Sequence, residues 1–175
     1  MRINVDEPVT VGEYDPAWPD RFAVERQRIV GAFANAKVEH IGSTAVPGLD
    51  AKPVIDILVG LTSHVPDRVT TAALSDLGYE PLGEAGVPGR LYFRHRSPSQ
   101  SFNVHVVAHG GRLWCDNLAL RDYLRRHPLE AAEYARVKRH AAEEAAVSLI
   151  RYSELKARTV ESLLGRARAE VAAEG

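Results

Sequence analysis

A Gly42-Ser43-Thr44 turn precedes a lone carboxylate, Asp56, that sits inside the apolar run Val54 to Val59. Gly42 lets the backbone turn tightly, and the N–H groups around it, with the Ser43 and Thr44 hydroxyls, suit phosphate oxygens. Asp56 offers a hard anionic oxygen to Mg²⁺, and Lys52, on the loop between, adds a cation to the cradle. His40 and His105 fall in strand-like stretches beside the same place. With Asp56 they form a set suited to moving protons near neutral pH, or to holding a transition metal. The loop Gly83 to Arg90 combines three glycines with Glu84 and Arg90, as in a flap that approaches a ligand closely, and Glu84 is a second candidate acid or base. Further on, Arg121 and Arg125, Tyr134 and Lys138, and Tyr152 and Lys156 are each spaced i,i+4, so each pair shares a helix face. These pairs either converge on an anion, with Tyr134 joining the proton-moving set, or lie on solvated faces beside Asp122, Glu130 and Glu133.

The elements that must position these groups follow from pattern and punctuation. Asp15 and Pro16 start a helix whose Trp18, Phe22, Ile29 and Phe33 recur at helical spacing, predicting a helix to about Ala36. Val38 to Ile41, Val54 to Val59, Leu91 to Arg96 and Phe102 to Ala108 read as strands, the last two joined by Ser97-Pro98-Ser99. Pro66 to Leu77 reads as a helix capped by Gly78. After Gly110-Gly111 three helices are expected: Arg112 to Arg126, Pro128 to about Ala146, and Tyr152 to about Glu170. Trp18 and Trp114 are expected in the core, and Cys115, with no neighbouring histidine, is not expected to act as a nucleophile.

With 175 residues, 45% hydrophobic and 26% charged, the chain suits one α+β domain over residues 1–175, sheet-containing to 110 and helical from 111. A single cysteine excludes an internal disulfide framework and predicts a reducing, cytoplasmic setting. Met1 to Thr10 carry no secretion-type apolar stretch, and no run is long enough to span a membrane. The net charge of -1 hides an asymmetry: the first 89 residues hold seven Lys and Arg against 13 Asp and Glu, the rest 15 against ten. Opposed fields favour a cleft for a small anionic ligand, with neither a nucleic acid nor a membrane as partner.

The segment Val38-Glu39-His40-Ile41-Gly42-Ser43-Thr44-Ala45-Val46-Pro47-Gly48-Leu49, followed by Lys52-Pro53-Val54-Ile55-Asp56-Ile57, resembles the signature of the GrpB family, in the nucleotidyltransferase superfamily. The resemblance extends to Tyr14-Asp15-Pro16-Ala17-Trp18-Pro19, Gly83 to Arg90, Asn103-Val104-His105-Val106, Arg121-Asp122-Tyr123-Leu124-Arg125, Tyr134 with Lys138, and Tyr152 with Lys156. It implies a nucleotidyltransferase-like fold, a small mixed β-sheet flanked by helices with a C-terminal helical bundle, and the Gly-Ser turn and Asp56 at the rim of a cleft. It also implies kinship with domains fused to dephospho-CoA kinase. Two-metal nucleotidyl transfer needs a second carboxylate two residues on and a third on a neighbouring strand. This chain has Leu58 at the first position and Asn103 and His105 at the other, leaving at most one Mg²⁺ shared between Asp56 and substrate phosphates. Three readings stay open: a binder of, or transferase-like enzyme for, a phosphorylated or nucleotide-like molecule; a metal-independent acid-base enzyme for a dehydration, addition or cyclisation; and a non-catalytic interaction domain.

Overall fold

The computed structural model describes residues 6–33, 35–62, 67–145 and 147–174. Helix α1 spans Trp18–Ala32, its entry set by Asp15, whose Oδ1 accepts the Ala17 N–H at 2.8 Å. It ends a turn earlier than the periodicity predicts. Asn35 takes a left-handed φ of 64°, which asparagine tolerates better than most residues, and turns the chain into β1 (Lys37–Ile41). Next come β2 (Val54–Leu61), α2 (Asp67–Asp76), β3 (Glu80–Pro81), β4 (Leu91–Arg96) and β5 (Ser101–Ala108). The expected start of α2 at Pro66 lies outside the described residues. Helices α3 (Arg112–Arg126), α4 (Pro128–Glu144) and α5 (Leu149–Glu174) complete the chain.

The strands form one mixed sheet in the order β1-β2-β5-β4-β3, in which only β2 and β5 run parallel. Alternation gives the sheet two different faces. On one, Val38, Ile55, Ile57, Val59, Phe93 and Val104 pack against Trp18 and Ile29 of α1 and Leu74 of α2. On the other, Ile41, Leu58 and Val107 pack against Trp114 of α3, while Asp56, Asn103, His105 and Tyr92 leave a polar area beside that contact. Gly60 lets α3 lie on bare backbone, since a Cβ there would sit 2.6 Å from the Trp114 ring. The three helices join through Tyr123, Leu124, Tyr134 and Leu163, with Ala131, Ala135 and Ala167 permitting close approach.

Helix α5 begins a turn before the predicted Tyr152 because a distant segment caps it. Asp6 accepts the Ile150 N–H at 3.0 Å, and the Ser148 hydroxyl accepts that of Arg151 at 3.1 Å. Next to it, Glu7 receives Arg96 at 2.8 and 3.0 Å and Lys52 at 3.3 Å, so residues 6 and 7 strap α5 to β4 and to the loop before β2. Burial opposes ionisation of Glu7, but Arg96 and Lys52 outweigh it and hold the carboxyl at about 2. That stabilisation is complete above the ordinary carboxylate range and disappears as the pH falls towards 2. Glu7→Gln is therefore expected to lower stability by about 2 kcal/mol at pH 7 and by much less at pH 3, read from urea denaturation at both values.

Candidate functional site

Asp56 lies opposite Ile41 on β1 and Asn103 on β5, at the end of β2 that meets the Gly42 turn. A Cβ on Gly42, whose φ is 70°, would fall 2.7 Å from Asp56 Oδ2, so the turn and the carboxylate touch through the missing side chain. Asp56 Oδ1 accepts from Asn103 Nδ2 at 2.8 Å and from His105 Nε2 at 3.1 Å. Burial alone would raise the Asp56 pKa; the hydrogen bonds from His105 and Asn103, with the charge of Lys52, override it and hold the group ionised, with a pKa of about 2.

The tautomer of His105 follows from its second partner. Arg90 Nη1, a donor only, lies 3.3 Å from His105 Nδ1, so Nδ1 accepts and Nε2 carries the proton towards Asp56. Arg90 also donates through Nη2 to the carbonyls of Glu84 and Ala85 at 3.0 and 3.1 Å, and its guanidinium lies 4.8 Å from the centre of the Tyr92 ring. Its Nε is buried with no hydrogen-bond partner among the described residues. The loop predicted as a flap is thus tied to the sheet through Arg90.

Above this polar area opens a cleft of about 510 Å³, closed on the far side by α4 and the first turns of α5. Lys138 of α4 and Lys156 of α5 line it, and among the described residues neither has a carboxylate within ion-pair distance. Lys138 is 1% exposed, donates to the Asp50 carbonyl, and lies 4.8 Å from the centre of the Tyr134 ring. Burial, reinforced by the charge of Lys156, lowers the Lys138 pKa to about 7. Burial also acts against protonated Lys156, yet its electrostatic interactions with Tyr134, Tyr152 and Asp56 leave its pKa raised. The two amines therefore differ near neutral pH: Lys156 holds its proton where Lys138 begins to release its own. Lys52, paired with Glu7, lines the same cleft.

The structure brings Ser43, Thr44, Lys52, Asp56, Arg90, Asn103, His105, Lys138, Tyr152 and Lys156 to one cleft. Other expected residues lie elsewhere. His40 projects to the opposite face of β1 from Asp56's side of the sheet, where it stacks on Phe22 with ring centroids 4.7 Å apart and bonds Thr44 Oγ1 at 2.9 Å. Burial holds it neutral, with a pKa of about 4, and the Thr44 hydroxyl is thereby engaged in anchoring the turn. Arg121 pairs with Glu39 and Asp122 at 2.8 and 2.7 Å, and Arg125 donates to the Ala45 carbonyl at 2.9 Å, so this pair braces α3 against β1 and the turn. Glu84 is exposed and accepts the Gly89 N–H at 2.8 Å within its own loop, bordering a different depression. Tyr134 is buried behind the lysines. Of the three helical pairs, then, two converge and one does not.

Tyr92 and Glu154 line the cleft without having been expected there. Tyr92 could have been found by alternation from buried Phe93, but only once its register with His105 was known.

The donor set does not suit two-metal nucleotidyl transfer. Leu58 is fully buried, Asp56 Oδ1 already accepts two hydrogen bonds, and no group of three or more His, Cys, Asp or Glu capable of holding a metal occurs among the described residues. His40 lies on the other face of its strand, so it does not join Asp56 and His105 as a transition-metal ligand. No described helix is long and apolar enough to cross a membrane.

The family described as "GrpB protein" matches residues 8–166. A UPF0157 protein of Halalkalibacterium halodurans is 36% identical over 166 residues, covering 92% of this chain and 83% of that protein. The crystal structure of a conserved GrpB protein from Enterococcus faecalis superposes with a TM-score of 0.83 at 34% identity, covering 93% of this chain and 99% of that one. A poly(U) polymerase with Mg 3'-dATP bound shares the fold alone, at a TM-score of 0.56 and 14% identity, over 83% of this chain and 49% of that one.

Proposed function

The chain belongs to the GrpB protein family, and on that premise we propose that it binds and acts on a small phosphorylated or nucleotide-like molecule, held between the Ser43 turn and the lysines of α4 and α5. One observation carries the reading: Lys138 and Lys156 line the cleft and, among the described residues, have no carboxylate within ion-pair distance. Cations withdrawn from water and left unpaired are costly, and an arriving phosphate repays that cost in the way a protein carboxylate would. The cleft's volume of about 510 Å³ supports a small ligand rather than a polynucleotide. Because the site draws on β2, β5, α4 and α5, it also supports reading residues 1–175 as one domain.

Isothermal calorimetry with ATP, GTP, CTP, CoA, dephospho-CoA and pyrophosphate, with and without Mg²⁺, tests the proposal. At least one ligand is expected to bind without requiring Mg²⁺, and Lys156→Met is expected to weaken it about tenfold or more. No heat from any of them with folded protein overturns the reading. Dephospho-CoA is included because the kinase fusion implied by the family resemblance favours a ligand of that type.

The His105–Asp56 pair favours a particular chemistry for the bound molecule. With Nε2–H directed at an ionised carboxylate, Nδ1 is the basic nitrogen, and a ligand anion that draws Arg90 away exposes it to a substrate proton. This supports metal-independent acid-base catalysis over nucleotidyl transfer. For any turnover found, His105→Gln and Asp56→Asn are expected to lower kcat by about a hundredfold with ligand binding retained. Full turnover in both variants would remove this chemistry.

A further inference from the structure

The chain contains four lysines against eighteen arginines. Arginine supplies most of its surface ion pairs, whereas three of the four lysines, Lys52, Lys138 and Lys156, line the same cleft; the fourth, Lys37, is exposed on β1. For electrostatic capture alone arginine serves as well or better, with a forked guanidinium that stays charged. What lysine adds is an amine that can lose its proton and attack.

We propose that Lys138 is an amine nucleophile, forming an imine with the carbonyl carbon of a small aldehyde or ketone whose phosphate or carboxylate is held by Lys156. The proposal rests on the anion-binding reading of the cleft and adds to it a covalent step. The neutral amine of Lys138 adds to the carbonyl carbon, the nitrogen gives up two protons in total, and the carbonyl oxygen leaves with them as water; hydrolysis reverses each change, so neither oxidant nor reductant is needed. The geometry provides what this requires. A neutral amine keeps its bond to the Asp50 carbonyl with one N–H and still has a free lone pair. The Asp50 carboxylate itself is taken by Arg139, so it does not hold Lys138 protonated. Tyr134 on the same helix covers the amine with an apolar ring, and from α5 the charge of Lys156 reaches it while Tyr152 lines the same cleft beneath Lys156. Across the cleft, Asp56 is engaged with His105 and Asn103, and Glu154 lies with Arg151 at 3.5 Å. Desolvation and a neighbouring cation together are a known means of keeping a lysine amine reactive near neutral pH, and here they favour the neutral form of Lys138.

The test incubates the full chain with pyridoxal 5'-phosphate, and in parallel with glyoxylate, at pH values from 6 to 10, followed by borohydride reduction and peptide mapping. Lys138 is expected to be labelled by at least one probe at least about tenfold more than exposed Lys37 at pH 7.5, with a midpoint well below that of Lys37. Labelling by glyoxylate alone indicates a site for carboxylate-bearing carbonyls, and labelling by the phosphorylated probe alone indicates phosphate-bearing ones. Excess pyrophosphate is expected to slow the labelling, and Lys138→Arg to abolish it while Lys37 labelling persists. Lys138 unlabelled by both probes, or labelled with the pH profile of Lys37, overturns the proposal. If pyrophosphate still binds by calorimetry in that case, the anion-binding reading survives and only the covalent step falls.

Discussion

A Lys138→Met variant is expected to be more stable than the parent at pH 6, by about 2 kcal/mol in urea denaturation, while losing about tenfold or more in affinity for a phosphate-bearing ligand. The two effects share one cause. Lys138 is withdrawn from water to 1% exposure and, among the described residues, finds a backbone carbonyl and a tyrosine ring but no carboxylate. Methionine fills a similar volume without the charge, and the loss of the Asp50 hydrogen bond offsets only part of the desolvation cost that is relieved. The pH dependence separates this account from simple repacking. In the folded chain Lys138 titrates at about 7, in the unfolded chain near its ordinary 10.5. Below about 7 both states carry the proton and the folded state bears the full penalty. Between 7 and 10.5 only the unfolded state keeps it, so parent stability rises with pH and the advantage of methionine shrinks. A variant less stable than the parent at pH 6, with no pH trend in the difference, would refute this.

Gly42→Ala is expected to lower stability by about 3 kcal/mol and to dismantle the Asp56 cluster even in the fraction that folds. Gly42 has φ 70° and ψ -170°, a region closed to side-chain-bearing residues. An added Cβ would also meet Asp56 Oδ2 at 2.7 Å and Cβ at 3.1 Å, contacts relieved by a shift of the Asp56 side chain or of the turn. Either shift carries Asp56 away from His105 Nε2 and Asn103 Nδ2. The expected signatures are an early urea midpoint and, by nitrogen-detected NMR, a His105 ring that no longer holds the Nε2–H tautomer. An alanine variant within about 0.5 kcal/mol of the parent, with an unchanged His105 signal, would show that the turn and the carboxylate are not coupled.

Much of the candidate site was legible in the chain because its signals are local. A charge inside the run Val54-Ile55-Asp56-Ile57-Leu58-Val59 needs a reason wherever the strand lies, and a glycine before Ser43 marks a turn by its conformational freedom alone. The absence of a second carboxylate at Leu58 was equally plain, since two residues along a strand return to the same face. The helical pairs were legible only in part. Spacing i,i+4 places Arg121 with Arg125 and Tyr134 with Lys138, but it does not tell which way a face turns. Burial decided that: Arg121 and Arg125 found Glu39 and the Ala45 carbonyl, whereas Lys138 and Lys156 found the cleft. The scarcity of lysine was a further signal open to counting, and it takes on meaning only when three of the four meet.

By itself the sequence determined the α+β class, the order of the helices and of every strand but the two-residue β3, the family, and the lone carboxylate beside a glycine turn, because propensity, periodicity and motif spacing act over a few residues. Only the tertiary structure decided that β5 runs parallel to β2 in the register that sets Asn103 opposite Asp56 and His105 opposite Leu58. It also decided that Arg90 fixes the His105 tautomer, and that Asp6 and Glu7 reach across the chain to cap α5 and hold the cleft's walls together. Those are pairings between distant segments, selected by burial and by the need to satisfy each withdrawn polar group, and no local pattern encodes them.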